Sequence, residues 1–297
     1  MELKKIKGQI YYIPNVVNIG CIVQGNDVIL IDTGLEDVVG KKILNLLEKE
    51  GLDVKVVINT HSHADHFGGN AYIKEKTGAM IYAPAIEEAA IKYPYFEPMY
   101  LFSGANPVKE LHNKFLMGKP SPVDYVIGSE EETLEILGLS LRVRSLPGHS
   151  MNQIGIEVDN VIFCGDVFVA EEVLKKHKIP FNMDIQKHRD TLHWLRGTNY
   201  EWYIPSHSRP IQDVKEVVDI NFQVLDEIDH CIESLLAEPQ TTEELVQHVC
   251  DAYEIHCTNL GQYYLFHTAI MAHISALSDQ KKIKPLVENN RVYWTLS

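Results

Sequence analysis

The chain is short of positive charge: Lys and Arg together number 27 against 41 Asp and Glu in 297 residues, a formal net charge of −14. Such a balance disfavours nucleic-acid backbones and anionic membrane surfaces as partners unless the few cations cluster. No stretch of 18 apolar residues exists, so no membrane-crossing helix is expected. The opening Met1–Ile13 has neither a long apolar core nor a small-residue cleavage site, so the expected location is cytoplasmic. Cysteine is scarce: Cys21, Cys164, Cys231, Cys250 and Cys257 are five in number and scattered, with no CxxC pair. That excludes a disulfide framework and a cysteine zinc knuckle. Internal repeats and low-complexity tracts are also missing. The remaining composition, 45% apolar and 23% charged, is that of an ordinary globular chain, long enough for one large domain or a large domain with a small appendix. Against this background the 14 histidines stand out.

Strand-type segments Gln9–Ile13, Asn18–Gln24 and Asp27–Asp32 open the chain, the last two joined by the hairpin signal Gly25-Asn26. Leu35, Val39, Ile43 and Leu47 then recur every fourth position, which predicts a helix ending near Gly51. The apolar run Val54–Thr60 reads as a strand buried on both faces. A second strand series follows at Thr133–Leu137, Leu139–Ser145, Ile154–Val158 and Val161–Cys164, then a helix around Asp184–Arg196 and a strand at Trp202–Pro205. Between the two series, Pro94–Pro122 carries five prolines and several aromatics without a clean period. It reads as a long loop with helical pieces, expected to cover the site mouth and set substrate choice. Beyond residue 212 the pattern turns helical: Val214–Leu236, a capping box at Thr241-Thr-Glu-Glu244, Gly261–Leu277, and a closing hairpin of Ile283–Val287 and Arg291–Thr295. The expected organisation is therefore 1–212 as one unit and 213–297 as a mainly helical appendix that packs on it.

The buried strand Val54–Thr60 runs directly into His61, His63, Asp65 and His66. Imidazole and carboxylate suit zinc, iron and manganese. A turn leaving a strand end can point alternate residues into one cleft, so His61 and His63 can serve one ion while Asp65 and His66 serve a neighbour.

Thr60–His66 resembles the HxHxDH signature of the metallo-β-lactamase-fold hydrolases. Four further elements are similar to that family's pattern: Asp32-Thr-Gly34, Pro147-Gly-His149, Gly165-Asp166 and Ser206-His207. Over residues 8–212 the resemblance implies an α+β fold, a four-layer αββα sandwich with its site at one edge between two mixed sheets. It implies a site with His61, His63 and His149 on the first metal, Asp65, His66 and His207 on the second, and Asp166 bridging. Two divalent ions are implied, zinc first, with iron or manganese as alternatives. Asp65 and Asp166 are the carboxylates on which catalysis is expected to depend. Asp32 is a candidate acceptor for a ligand histidine N–H, with turn capping as the other reading.

The implied activity is that of a binuclear hydrolase using a metal-bridging hydroxide on a small ester, thioester or lactone, as in glyoxalase II-like and lactonase-like members. Alternatives are a phosphodiesterase or ribonuclease, since 213–297 resembles a winged-helix appendix, an iron-dependent sulfur dioxygenase, and a non-catalytic metal-stabilised scaffold. The expected partner is a small-molecule substrate, with a second copy of the chain as a candidate dimer partner and with neither nucleic acid nor membrane expected. His112, His177, His188 and His193 are read as surface or core residues, Lys175–Lys178 as a solvated charged stretch, and Cys164 as a core thiol.

Overall fold

The computed structural model describes residues 1–297. Its first half runs β1 (Lys4–Lys7), β2 (Ile10–Ile13), β3 (Ile19–Gln24), β4 (Asp27–Ile31), α1 (Asp37–Lys49), β5 (Asp53–Ile58), α2 (Ala64–Phe67), α3 (Asn70–Thr77), β6 (Met80–Pro84), α4 (Glu87–Lys92), α5 (Phe96–Leu101) and β7 (Tyr125–Ile127). The second half runs β8 (Thr133–Ile136), β9 (Leu139–Ser145), β10 (Ile154–Val158), β11 (Val161–Gly165), α6 (Glu171–His177), α7 (Ile185–Arg196), β12 (Trp202–Pro205), α8 (Lys215–Leu235), β13 (Gln240–Thr241), α9 (Thr242–Ala252), α10 (Leu260–Asp279), β14 (Ile283–Glu288) and β15 (Arg291–Leu296). Strands β1 to β7 form one seven-stranded sheet in sequence order, and a second sheet has the order β12-β11-β10-β9-β8.

Period-two burial explains the layering. Along β4, Ile29 and Ile31 join Phe163, Ile156 and Leu141 of the second sheet in one core, while Val28 and Leu30 face Ile43, Leu47 and Ile73 of α1 and α3 in another. Successive side chains point to opposite faces, so a strand apolar at every position needs cover on both. The second sheet repeats the arrangement, with Ile162 and Cys164 packed among Leu192 and Leu195 of α7 and Val218 and Leu225 of α8. The result is the expected αββα sandwich. Within the sheets, β4, β5, β6 and β7 pair in parallel, as do β11 and β12.

Among the elements not expected, strands β1 and β7 are short edge segments, and α6 overlaps the stretch Lys175–Lys178 that reads as solvated. Helix α6 keeps Leu174 buried while its lysines stay outside.

After α8, the order β13, α9, α10 and hairpin β14–β15, with sheet order β13-β15-β14, is winged-helix topology. Thr241 Oγ1 accepts from the Glu244 N–H, and the Glu244 carboxylate accepts from the Thr241 N–H, completing the capping box. Asn289 and Asn290 both take left-handed φ (51° and 63°) in the two-residue turn of the hairpin, as a type I′ turn requires. The region docks through Val214, Val218, Leu225, Ala272 and Ala276, which share one core with Leu146 and Ile162. No helix is long and apolar enough to cross a membrane.

Candidate metal centre

Loops leaving β5, β9, β11 and β12 on one edge of the sandwich carry the seven residues singled out in the sequence. His61 follows β5, His63 caps α2, and Asp65 and His66 lie within α2. His149 sits on the turn between β9 and β10, Asp166 follows β11, and His207 follows β12. The structure brings all seven together. His61, His63 and His149 form one group, Asp65, His66 and His207 a second, and His61, His66 and Asp166 a third between them, each with ligand-type atoms within 4.8 Å of one another. His63 Nδ1 lies 3.1 Å from His61 Nε2 and 2.9 Å from His149 Nε2. Asp166 Oδ2 lies 3.1, 3.4 and 3.5 Å from the Nε2 atoms of His207, His149 and His66.

Hydrogen bonds behind the rings fix which nitrogen faces inward. Asp32 accepts from the Thr60 N–H and hydroxyl at 2.8 Å each, and from His66 Nδ1 at 2.8 Å. Since the Thr60 hydroxyl proton goes to Asp32, its oxygen is left to accept from His61 Nδ1 at 3.0 Å. The Phe181 carbonyl accepts from His149 Nδ1 at 2.9 Å, and the Val16 carbonyl from His207 Nδ1 at 3.2 Å. These partners can only accept, so each of these four rings carries a proton on Nδ1 and turns Nε2 into the centre. Asp32 thus accepts from the His66 ring and ties it to the turn at Thr60.

Burial, followed by repulsion from neighbouring imidazoles, holds His61 well below its ordinary pKa; His149 is likewise held low, chiefly by burial. His63 is lowered chiefly by burial. Burial alone would lower His66 as well, but the carboxylates of Asp166, Asp65 and Asp32 overcome it and raise this ring well above its usual value. His207 is raised, first by Asp166. Burial opposes ionisation of Asp166, yet His207 and His66 hold its carboxyl well below the usual range. Two buried atoms, His66 Nε2 and Asp166 Oδ1, have no hydrogen-bond partner. Orphaned donors and acceptors of this kind are costly inside a protein. Clustered imidazoles around an ionised carboxylate match the donor set of a divalent cation.

Sequence reasoning missed Glu87, the first residue of α4. Its buried carboxylate accepts from the Ser62 N–H (3.1 Å) and hydroxyl, from the Ser150 hydroxyl (2.7 Å) and from the Asn152 N–H (2.8 Å). One side chain therefore ties the His61–His66 turn to the His149 turn. Gly148 completes that second turn at φ +125°, where a Cβ would stand 2.4 Å from His188 N and Cα. No local signal announces Glu87, because its partners lie 25 to 65 residues away.

A cavity of about 460 Å³ opens beside the cluster, with His149, Asp166 and His207 on one wall and side chains of α6, α10 and the segment 179–181 on the others. The expectation that Pro94–Pro122 forms this mouth is corrected, for it contributes none of the lining residues. Its apolar residues Leu101, Leu111 and Leu116 are buried against Phe181, Tyr264 and Leu265, so the segment braces the wall from behind. His177, read as a surface or core residue, is exposed and also lines the cavity. His188 is a buried core residue whose pKa burial pushes down to about 3.

Fold and side-chain cluster together define a protein of αββα architecture with a candidate metal centre at one edge. The metallo-beta-lactamase superfamily model matches residues 12–207, and the chain belongs to that superfamily. It is 31% identical over 143 residues to hydroxyacylglutathione hydrolase 1 of Vibrio vulnificus, a match covering 48% of this chain and 43% of that one. It is 29% identical over 133 residues to hydroxyacylglutathione hydrolase of Albidiferax ferrireducens, covering 43% and 40%. The match thus spans less than half the length of these relatives. Among solved structures, a metallo-beta-lactamase family protein of Thermus thermophilus superposes with a TM-score of 0.74 at 20% identity, covering 97% of this chain and 99% of that one. At these identities the structural likeness establishes the fold alone.

Proposed function

We propose that the chain is a metal-dependent hydrolase of a small ester, thioester or lactone, with its catalytic unit in residues 1–212. His61, His63 and His149 would hold one divalent cation, Asp65, His66 and His207 a second, and Asp166 would touch both. Zinc suits this donor set first, and iron or manganese suit it as well. When bound, two such ions supply Lewis-acid polarisation of a carbonyl and bring the ionisation of a water molecule towards neutral pH. The chain's own part is to keep four of the five rings with Nε2 aimed inward, through Asp32, Thr60 and the carbonyls of Phe181 and Val16. Asp65, with about a third of its side chain exposed against about a tenth for Asp166, is the more solvent-open of the two carboxylates. Phe168 and Phe181 give the cavity side of the cluster an apolar lining.

The observation that carries this reading is the position of Asp166 Oδ2, within 3.5 Å of three imidazole nitrogens drawn from both halves of the cluster. The names of the Vibrio and Albidiferax relatives support the thioester member of the substrate set. The test is a screen of the metal-loaded protein on ester, thioester, lactone, phosphodiester and persulfide substrates. Turnover of the first three that is lost on chelation and in Asp166→Ala is expected. Turnover of phosphodiesters or persulfides alone would overturn the reading.

A further inference from the structure

The cavity wall facing the cluster is apolar to a degree the expected chemistry does not require. On α10, Gln262, Leu265, Phe266 and Ala269 line it, at spacing i, i+3, i+4 and i+7, which is one face of a helix. Opposite them stand Val173 and Leu174 of α6 and Phe181. Neither Lys nor Arg is among the fifteen lining residues. The nearest lysine in sequence, Lys178, is turned away, donating to the Tyr253 carbonyl at 2.6 Å. Phe181 joins the wall to the reacting end: its carbonyl orients His149, and its ring stands edge-on to His63 at a centroid distance of 5.5 Å.

A tripeptide thiol with two carboxylates and an ammonium group needs charged partners when it leaves water. Beyond the metal-site residues, His177 and Gln262 are the only polar side chains this cavity offers. Its volume of about 460 Å³ lies in the range of small-molecule sites, which are mostly apolar with a few placed polar groups. We infer that the substrate carries an uncharged apolar chain or ring on one side of the scissile bond, seated between α6 and α10, and that it is not a glutathione conjugate. This rests on the hydrolase reading for the bond cleaved, and on the cavity alone for the group bound.

Binding to the metal-free protein isolates the second part. Calorimetric titration with methyl hexanoate and methyl octanoate should show binding that tightens about tenfold for the two added methylenes, with no binding of glutathione. Val173→Trp, which fills the cavity, should abolish the gain. Val173→Ala, which widens it, should keep the gain, so a fold failure of the larger variant leaves the question decided. In the metal-loaded protein, kcat/KM for 4-nitrophenyl esters from acetate to octanoate should rise about threefold per methylene. A parallel series of acetate esters with lengthening alcohol chains assigns the pocket to the acyl or the leaving-group side, according to which series responds. Binding of glutathione in preference to methyl octanoate, or no dependence on chain length in binding and in both series, would overturn the inference. If the alkyl esters bind in the chain-length order but none is hydrolysed, the hydrolase reading fails while the pocket stands.

Discussion

A single carboxylate, Glu87, illustrates how the centre is held from outside. It takes no inward-facing place itself, yet it accepts hydrogen bonds from both turns that carry His61, His63 and His149. Removing such an outer partner ordinarily lowers metal affinity about 10- to 100-fold. Glu87→Ala is therefore expected to weaken binding by that amount in chelator competition while the circular-dichroism spectrum is retained. Glu87→Gln, which keeps one acceptor oxygen, should fall between the two. His188 makes a different prediction. Its folded pKa of about 3 lies below the value near 6.5 of an unfolded chain, so the native state binds fewer protons. Its contribution to stability is present above pH 6.5 and is lost as pH falls from there towards 3. Denaturant titrations of the metal-free protein should show that acid limb, flattened in His188→Phe. At this scale the sequence is legible where the candidate ligands lie close together, as in His61–His66. It was opaque for Glu87, whose partners are distant in the chain, and for His177, whose place in the cavity depends on how α6 docks.

At the scale of elements, the strands announced themselves because double-sided burial makes them continuous apolar runs. Val161–Cys164 and Trp202–Pro205 were read almost to the residue. Helix α6 escaped because three of its last four residues are Lys or His, and charge masked the short apolar face of Val173 and Leu174. The proline-rich segment differs from expectation for the converse reason: Leu101, Leu111 and Leu116 are buried, with Tyr100 and Phe102 packed against them, where they support α10. Leu111 is fully buried there. Leu111→Ala is expected to cost about 2 to 5 kcal/mol, as buried leucine truncations do, read as a fall in Tm.

At the scale of the whole molecule, winged-helix topology invites a nucleic-acid reading that charge and packing oppose. From residue 219 onward there are four basic residues, Lys281, Lys282, Lys284 and Arg291, against twelve acidic ones. The third helix of the motif, α10, which such motifs lay in a groove, here spends one face on the cavity wall. Mobility-shift titrations with single- and double-stranded RNA and DNA at low salt should detect no binding at micromolar protein. Micromolar binding weakened by reversing Lys281, Lys282 and Lys284 to Glu would contradict that. The boundary we propose near residue 212 separates two patterns of secondary structure rather than two independent folding units. Val214, Val218, Leu225, Ala272 and Ala276 complete the core over the second sheet, so truncation after residue 212 is expected to expose it and yield aggregation-prone protein.

The central claim is a paired centre spanned by Asp166, and metal stoichiometry by elemental analysis after zinc loading and desalting tests it most directly. The account predicts two ions per chain in the native protein and one or fewer in Asp166→Ala, with both proteins folded. A native protein that binds a single ion, or an Asp166→Ala variant that still holds two and turns over substrate at the native rate, would contradict it.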